Sequence, residues 1–407
     1  MDVFVARQAI LDRNRRVHGY ELLFRASPES MAFDPAAAPR ATGEVIANSI
    51  FASGLENLRS GKTAFVNFDR GMLLGHWYKA LPPQNTVLEV LESVAPDAEV
   101  LAACQVAVEQ GYRIALDDYV ARPDYEPLLA LANLVKVEVQ SISRPEQVEL
   151  VRSCHARGLK VLAEKVEDYE QFEWGTSAGY DFFQGYFFAQ PMVLRGRQIE
   201  TVKMSYLRLL QETQQAELDF SRLTTLISED VALTYKLTRY ASSALFSRRG
   251  QIRSVQQALA TLGEPNIRRW AALVLLTSSA VNKPGELITC SLVRGRFCEL
   301  MSTIARPQVQ HQAFLTGLFS LLDALLDRPL DEVLEELDLA SPITSALLKT
   351  APEHDFIGGI YRLACRYEAA AWQAVDLLLE KFQIPAALAR WAYGEALKWA
   401  REALAVA

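Results

Sequence analysis

The residues of this chain best suited to chemistry are acids, and one lysine, that close short apolar runs. In Arg113–Asp118 the apolar Ile114 and Leu116 lead straight into two adjacent carboxylates, Asp117 and Asp118. An apolar run ending in acids is the pattern of a barrel strand reaching its active-site rim. The competing reading is a helix N-terminus, where an Asp-Asp pair caps free N–H groups. Neighbouring runs favour the rim, because they too end in polar residues: Glu21, Asn67, Glu89, Lys136, Glu164 with Glu167, and Gln184. Adjacent carboxylates repel unless a cation sits between them, and oxygen ligands without His or Cys suit Mg²⁺ or Mn²⁺. Lys136 among these acids would stay charged and could position or polarise an attacking water. Alternatively, Arg25, Lys136 and Lys165 could neutralise the acids in a dry ion network.

Bringing such residues to one rim requires parallel strands joined by helices. Strand-like runs are expected at Val3–Ala6, His18–Phe24, Thr63–Phe68, Thr86–Leu91, Arg113–Asp118, Leu134–Val139, Lys160–Ala163 and Tyr180–Phe187. A polar turn is expected at Asp12–Arg16. Helices are expected at Ala41–Leu58, Asp97–Gln110, Tyr125–Ala132, Arg144–Arg157 and Asp168–Ser177, with Gly111 and Gly158 as C-caps. So many βα units indicate a TIM-like (β/α) barrel over residues 1–195. Near Val193 the pattern changes, and residues 196–407 read as an all-α domain entered through a linker helix, Ile199–Ala216. Its later helices include Ser254–Leu262 before a turn at Gly263 and Pro265, then Gln310–Leu326, Arg362–Lys381 and Pro385–Ala403.

The chain's 407 residues are 50% hydrophobic and 22% charged, which suits full cores and excludes a disordered chain. A net charge of −7 argues against electrostatic wrapping of nucleic acid. Five cysteines without Cys-x-x-Cys spacing read as reduced thiols, with no disulfide framework or zinc site. Met1–Ile10 lacks a signal-peptide core, and the longest apolar run, near Ala271–Leu276, is too short to span a bilayer. A cytoplasmic protein without membrane partners is expected.

The first half resembles the EAL domains of bacterial cyclic di-GMP signalling. Gly19-Tyr20-Glu21-Leu22-Leu23-Phe24-Arg25 is similar to the signature segment, with Leu22 in place of Ala. Val66-Asn67-Phe68, Leu88-Glu89-Val90-Leu91-Glu92, Asp117-Asp118, Lys136-Val137-Glu138, Ala163-Glu164-Lys165-Val166-Glu167 and Gln184-Gly185-Tyr186 match the family's remaining motifs in order. The resemblance implies divalent-metal ligands at Glu21, Asn67, Glu89, Asp117, Asp118 and Glu167. It implies catalytic roles for Lys136 and Glu164, and substrate contacts from Leu23, Arg25 and Gln184. The implied reaction opens cyclic di-GMP to the linear dinucleotide.

The chain also departs from the pattern. Tyr119-Val120-Ala121-Arg122-Pro123-Asp124-Tyr125 replaces a glycine-containing loop that helps order the metals and the dimer. Glu138 stands where the family has Asp, and Lys165 where it has Gly. Segments from Ile227 to Trp270 resemble the HDOD domain, a relative of HD phosphohydrolases that lacks their metal ligands. Gly317-Leu318-Phe319-Ser320 stands where a true HD enzyme needs His-Asp. The one His-Asp, His354-Asp355, reads as a cap or surface pair, and Arg248, Arg249, Arg253, Arg268 and Arg269 as a solvated face paired with acids. The expectation is a bacterial signalling protein of the cyclic di-GMP network. Its degenerate EAL domain binds nucleotide or protein, its HDOD domain relays to partner proteins, and a homodimer is one arrangement. The alternative is an active metal-dependent phosphodiesterase.

Overall fold

A computed structural model describes residues 3–26, 55–120, 122–190, 204–215, 217–243, 246, 252, 254–278, 283–337 and 339–406. The chain divides into two compact units, Met1–Gln190 with Arg366–Gln373, and Pro191–Cys365 with Ala374–Ala407.

In the first unit eight strands close into a barrel in chain order. They are β1 (Val3–Asp12), β2 (Val17–Ala26), β3 (Thr63–Phe68), β4 (Thr86–Val90), β5 (Arg113–Leu116), β6 (Leu134–Glu138), β7 (Lys160–Glu164) and β8 (Phe182–Gln184). β1 is antiparallel to both β2 and β8, and β2 to β8 are parallel. The reason is local: the turn after β1 is too short for a crossover, so the chain must fold back as a hairpin. The Asp12 carboxylate fixes that turn by accepting the backbone N–H groups of Asn14 at 2.8 Å and Arg16 at 2.9 Å.

Between the later strands, helices begin at side-chain caps. Asp97 accepts from Glu99 and Val100 at the start of Ala98–Glu109. Glu146 accepts the Ser143 N–H at 2.9 Å at the start of Arg144–Ala156. Asp168 accepts from Gln171 at the start of Tyr169–Ala178. Each cap of this kind contributes about 1 kcal/mol.

Two layers fill the barrel. The lower is apolar: Ile10, Phe65, Val87, Ala115, Leu134 and Leu162 form one buried cluster, with Phe182 packed against it. Side chains alternate along a strand, so the residue two places on faces the same interior. From Phe65, Val87, Ala115, Leu134, Leu162 and Phe182 that residue is Asn67, Glu89, Asp117, Lys136, Glu164 and Gln184. β2 enters the lower layer with Gly19, where a Cβ would lie 2.7 Å from the Phe65 ring, and supplies Glu21 above it. β1 runs the other way, so Gln8, two places before Ile10, occupies the upper layer.

Several expected elements end earlier than the sequence suggested. Tyr180–Phe187 is a strand only over Phe182–Gln184, because Gly185 turns out of it at φ +148°. The helix expected at Tyr125–Ala132 shrinks to a 3₁₀ turn at Pro123–Tyr125 and one short helix, Glu126–Leu129. Of Ala41–Leu58 only the end is described, inside Leu55–Arg59.

The second unit is helical throughout its described length. Gly263, at φ +68° and ψ 164°, kinks Val255–Ser278 just before Pro265. The helix expected over Gln310–Leu326 is two, Gln310–Phe319 and Leu322–Leu326, broken at Ser320 and Leu321. Arg362–Lys381 is likewise divided between Phe356–Glu368 and Trp372–Lys381, with Ala370 left-handed at φ +51°. Among the described residues no helix is long and apolar enough to cross a membrane.

Candidate active site

Lys136 is the centre of the upper layer. Its ammonium, 1% exposed, lies 2.8 Å from Asp117, 2.9 Å from Glu164, 3.1 Å from Glu21 and 3.2 Å from Glu89. Four strands each aim a carboxylate at a lysine carried by a fifth. An ammonium has only three N–H donors, so four carboxylates cannot all be satisfied.

The shortfall falls on Glu89. Neither of its oxygens has a hydrogen-bond partner, and burial pushes its pKa well up, with the negative charge of Glu21 adding to the effect. Glu21 is the opposite case. Asn67 Nδ2 donates to it at 2.8 Å, Gln184 Nε2 at 2.6 Å and Lys136 at 3.1 Å. Burial alone would raise the Glu21 pKa, but Lys136 and these hydrogen bonds outweigh it and hold the group below its ordinary value. Burial also raises Asp117 and brings Glu164 to about 7, in each case against the pull of Lys136. The four acids hold Lys136 charged although burial opposes it.

This donor set fits a divalent ion. Its oxygens are hard ligands, one ammonium leaves the four carboxylates short of positive charge, and Glu89 and the Asn67 Oδ1 are buried acceptors without donors. In the described residues no group of three or more His, Cys, Asp or Glu side chains already stands arranged around a common metal position, because the acids are turned onto Lys136.

The remaining candidates border this centre. Asp118 follows Asp117 in the left-handed region at φ +41° and is half-buried. The competing helix-cap reading of Asp117 is excluded, since its carboxylate binds Lys136 and the next helical turn begins at Pro123. Leu23 and Arg25 share the inward face of β2 with Glu21, farther along, and the Arg25 guanidinium lies 5.9 Å from the Phe4 ring centroid. Glu167 is exposed, and its backbone N–H donates to Gln171. Gln184 links Glu21 to Gln8, to which it donates at 2.8 Å. Gln8 was missed in the sequence, although its place two residues before the core Ile10 on a reversed strand is a readable signal.

Of the three cations that could neutralise these acids, Lys136 lies within ion-pair distance of four of them. Lys165 instead binds Glu138 at 2.5 Å across the ends of β7 and β6. Lys165 is left-handed at φ +54°, which costs a non-glycine residue about 1–2 kcal/mol. With the Lys165 side chain mostly in solvent, the pair returns only about 0–1 kcal/mol. Gly185 shows the contrary case, where glycine is obligatory: a Cβ there would lie 2.0 Å from the Val166 carbonyl oxygen.

In the helical unit, Asp355 accepts the Gly358 N–H at 2.6 Å, so His354-Asp355 is a helix start. Arg269 pairs with the buried Glu299 at 2.5 Å, and Arg268 donates to the Thr213 and Gln215 carbonyls, so neither is part of a solvated face. Arg248, Arg249 and Arg253 lie outside the described residues.

An EAL domain family model matches residues 72–191, and an HDOD domain family model matches residues 199–327. Cyclic di-GMP phosphodiesterase CdgJ of Vibrio cholerae is 34% identical over 376 residues, covering 92% of this chain and 86% of that protein. The chain is an EAL-HDOD protein. YuxH of Bacillus subtilis is 33% identical over 86% of this EAL-HDOD chain and 87% of its own length. Among solved structures, BlrP1 of Klebsiella pneumoniae, in a manganese and cyclic di-GMP complex, is 25% identical, with a TM-score of 0.39. That match covers 46% of this chain and 55% of the solved one. The EAL-HDOD assignment makes the chain a signalling protein related to cyclic di-GMP phosphodiesterases.

Proposed function

We propose that the barrel, taken as residues 1–195, is a metal-dependent phosphodiesterase that opens cyclic di-GMP to the linear dinucleotide. The observation that carries the reading is the convergence of Glu21, Glu89, Asp117 and Glu164 on the buried Lys136. Glu21, Asn67, Glu89 and Asp117, with Asp118 and Glu167 at the border, would hold Mg²⁺ or Mn²⁺. Such an ion supplies positive charge to phosphoryl oxygens and lowers the pKa of water. Once the ion has drawn carboxylates away from it, Lys136 would have an N–H free to donate to the attacking water and orient it. Glu164, with a pKa near 7, accepts the proton that this water loses. Asn67 and Gln184 keep Glu21 ionised and aimed inward. Leu23, Arg25 and Gln184 would border the nucleotide, Arg25 on a phosphate.

A second reading, in which the barrel binds the nucleotide without turnover, is favoured by one observation. Glu167 is exposed and has no bond to the Lys136 cluster, so one expected ligand is outside the assembled set. In both readings the C-terminal domain, taken as residues 196–407, relays to protein partners, and self-association is read by light scattering. The deciding experiment incubates the purified chain with cyclic di-GMP and Mg²⁺ or Mn²⁺ and follows the nucleotide by chromatography. Linear product that disappears in Glu21→Ala and Lys136→Ala supports hydrolysis; tight binding without product under both metals refutes it.

A further inference from the structure

Lys165 is held in the left-handed region, and its one described ion pair returns less than that conformation costs. Stability does not explain its presence. Its position does suggest a use. It follows Glu164 directly, and its charged neighbours are Glu138, Asp118 and Glu164, so it stands at the edge of the acidic centre. Unlike Lys136 it reaches solvent, with 57% of its side chain exposed. A phosphodiester approaching this rim meets mostly carboxylates, and an exposed ammonium whose ion pair is screened by solvent is suited to receive it. Both members of the pair also stand where the chain departs from the EAL pattern.

We propose that Lys165 is a substrate-phosphate contact gated by Glu138: its ammonium rests on the Glu138 carboxylate and transfers to a phosphodiester oxygen of the bound dinucleotide. This rests on the reading that the barrel binds cyclic di-GMP. No covalent bond changes, and the exchange is one charge-assisted hydrogen bond for another.

The test is calorimetric titration of cyclic di-GMP into the full chain in Ca²⁺ buffer, for the wild type, Lys165→Gln, Lys165→Gly, Glu138→Gln and the control Arg152→Gln. Arg152 pairs with Glu149 on an exposed helix surface. Lys165→Gln and Lys165→Gly are expected to raise Kd about tenfold, a typical loss for one charge-assisted hydrogen bond. Glu138→Gln, which frees the ammonium, is expected to lower Kd about threefold, and Arg152→Gln to leave it unchanged. The gap between wild type and Lys165→Gln should narrow towards unity at 0.5 M salt. Lys165→Gly should meanwhile raise the melting temperature by relieving the backbone, which separates lost binding from lost folding. Wild-type affinity in Lys165→Gln, or equal weakening by Glu138→Gln and Lys165→Gln, overturns the proposal. A wild type that binds no cyclic di-GMP overturns the phosphodiesterase reading and this one together, whereas normal wild-type binding with indifferent variants removes this one alone.

Discussion

Removing the buried Lys136 ammonium tests the electrostatic account directly. Lys136→Met keeps the unbranched apolar stem of the side chain and deletes the ammonium that holds Asp117, Glu164, Glu21 and Glu89 at 2.8–3.2 Å. Breaking a buried ion pair from one side costs about 3–5 kcal/mol, since the partner charge stays in a poorly solvated place. For a unit of this size each kcal/mol moves the melting temperature by about 2–4 °C, so a fall of roughly 6–20 °C is expected in EDTA. The pH dependence has a definite sign. Glu89, Asp117 and Glu164 have raised pKa values in the native barrel, so these three hold more protons there than in the unfolded chain, for Glu164 up to about pH 7, while Glu21, held low, acts in the opposite direction. The metal-free barrel therefore loses stability as pH rises through 7, and Lys136→Met should lose it more steeply, with most of the deficit absent at pH 5. Calorimetric scans at pH 5 and pH 8, with the barrel transition assigned by hydrogen exchange in β4 to β6, provide the readout. Added Mn²⁺ should recover part of the loss, because a divalent ion replaces the missing charge. A variant that melts with the wild type at pH 8 in EDTA would show that the acids are solvated, and the account of the site would fail.

Three further perturbations separate the roles of individual residues. Glu89→Gln removes a carboxylate that receives no hydrogen bond, so the metal-free melting temperature should hold or rise while Mn²⁺ affinity by calorimetry falls at least tenfold. A drop of more than a few degrees in EDTA would contradict this assignment. Gly185→Ala forces a Cβ to within 2.0 Å of the Val166 backbone at φ +148°, and should destabilise the barrel by about 3 kcal/mol in urea unfolding. His311 in the helical unit has its pKa lowered to about 4 by burial, with Arg268 and Arg269 adding to the effect. The unfolded chain therefore takes up its proton first, and stability falls as pH drops from about 6.5 to about 4, by up to about 3 kcal/mol. His311→Gln should flatten that slope in hydrogen exchange of Val255–Ser278, and an unchanged slope would count against it.

The barrel's chemistry was legible because strand geometry turns spacing into direction. Once Phe65, Val87, Leu134 and Leu162 are taken as core, Asn67, Glu89, Lys136 and Glu164 must face the same interior, so a period of two places the functional layer with no tertiary information. Gln8 escaped because the strand expected at Val3–Ala6 stops short of it, whereas β1 runs on to Asp12 and the turn that was expected there. The arrangement of charges was harder to read. The sequence offered three cations for the acids, and nothing in spacing says that Lys136 takes four carboxylates while Lys165 crosses to Glu138. That partition depends on which side chains are buried: full burial makes Lys136 the strongest available partner, whereas a rim lysine satisfies itself with the nearest acid. The helical breaks at Ser320 and Ala370 were hidden because apolar periodicity continues through both. Periodicity, then, locates the residues that share a face, but competition among like groups on that face is settled by desolvation. This is why the same acidic rim reads as a metal site or a dry ion network until burial and donor counts are known, and why the unsatisfied Glu89, more than the number of acids, argues for a divalent ion.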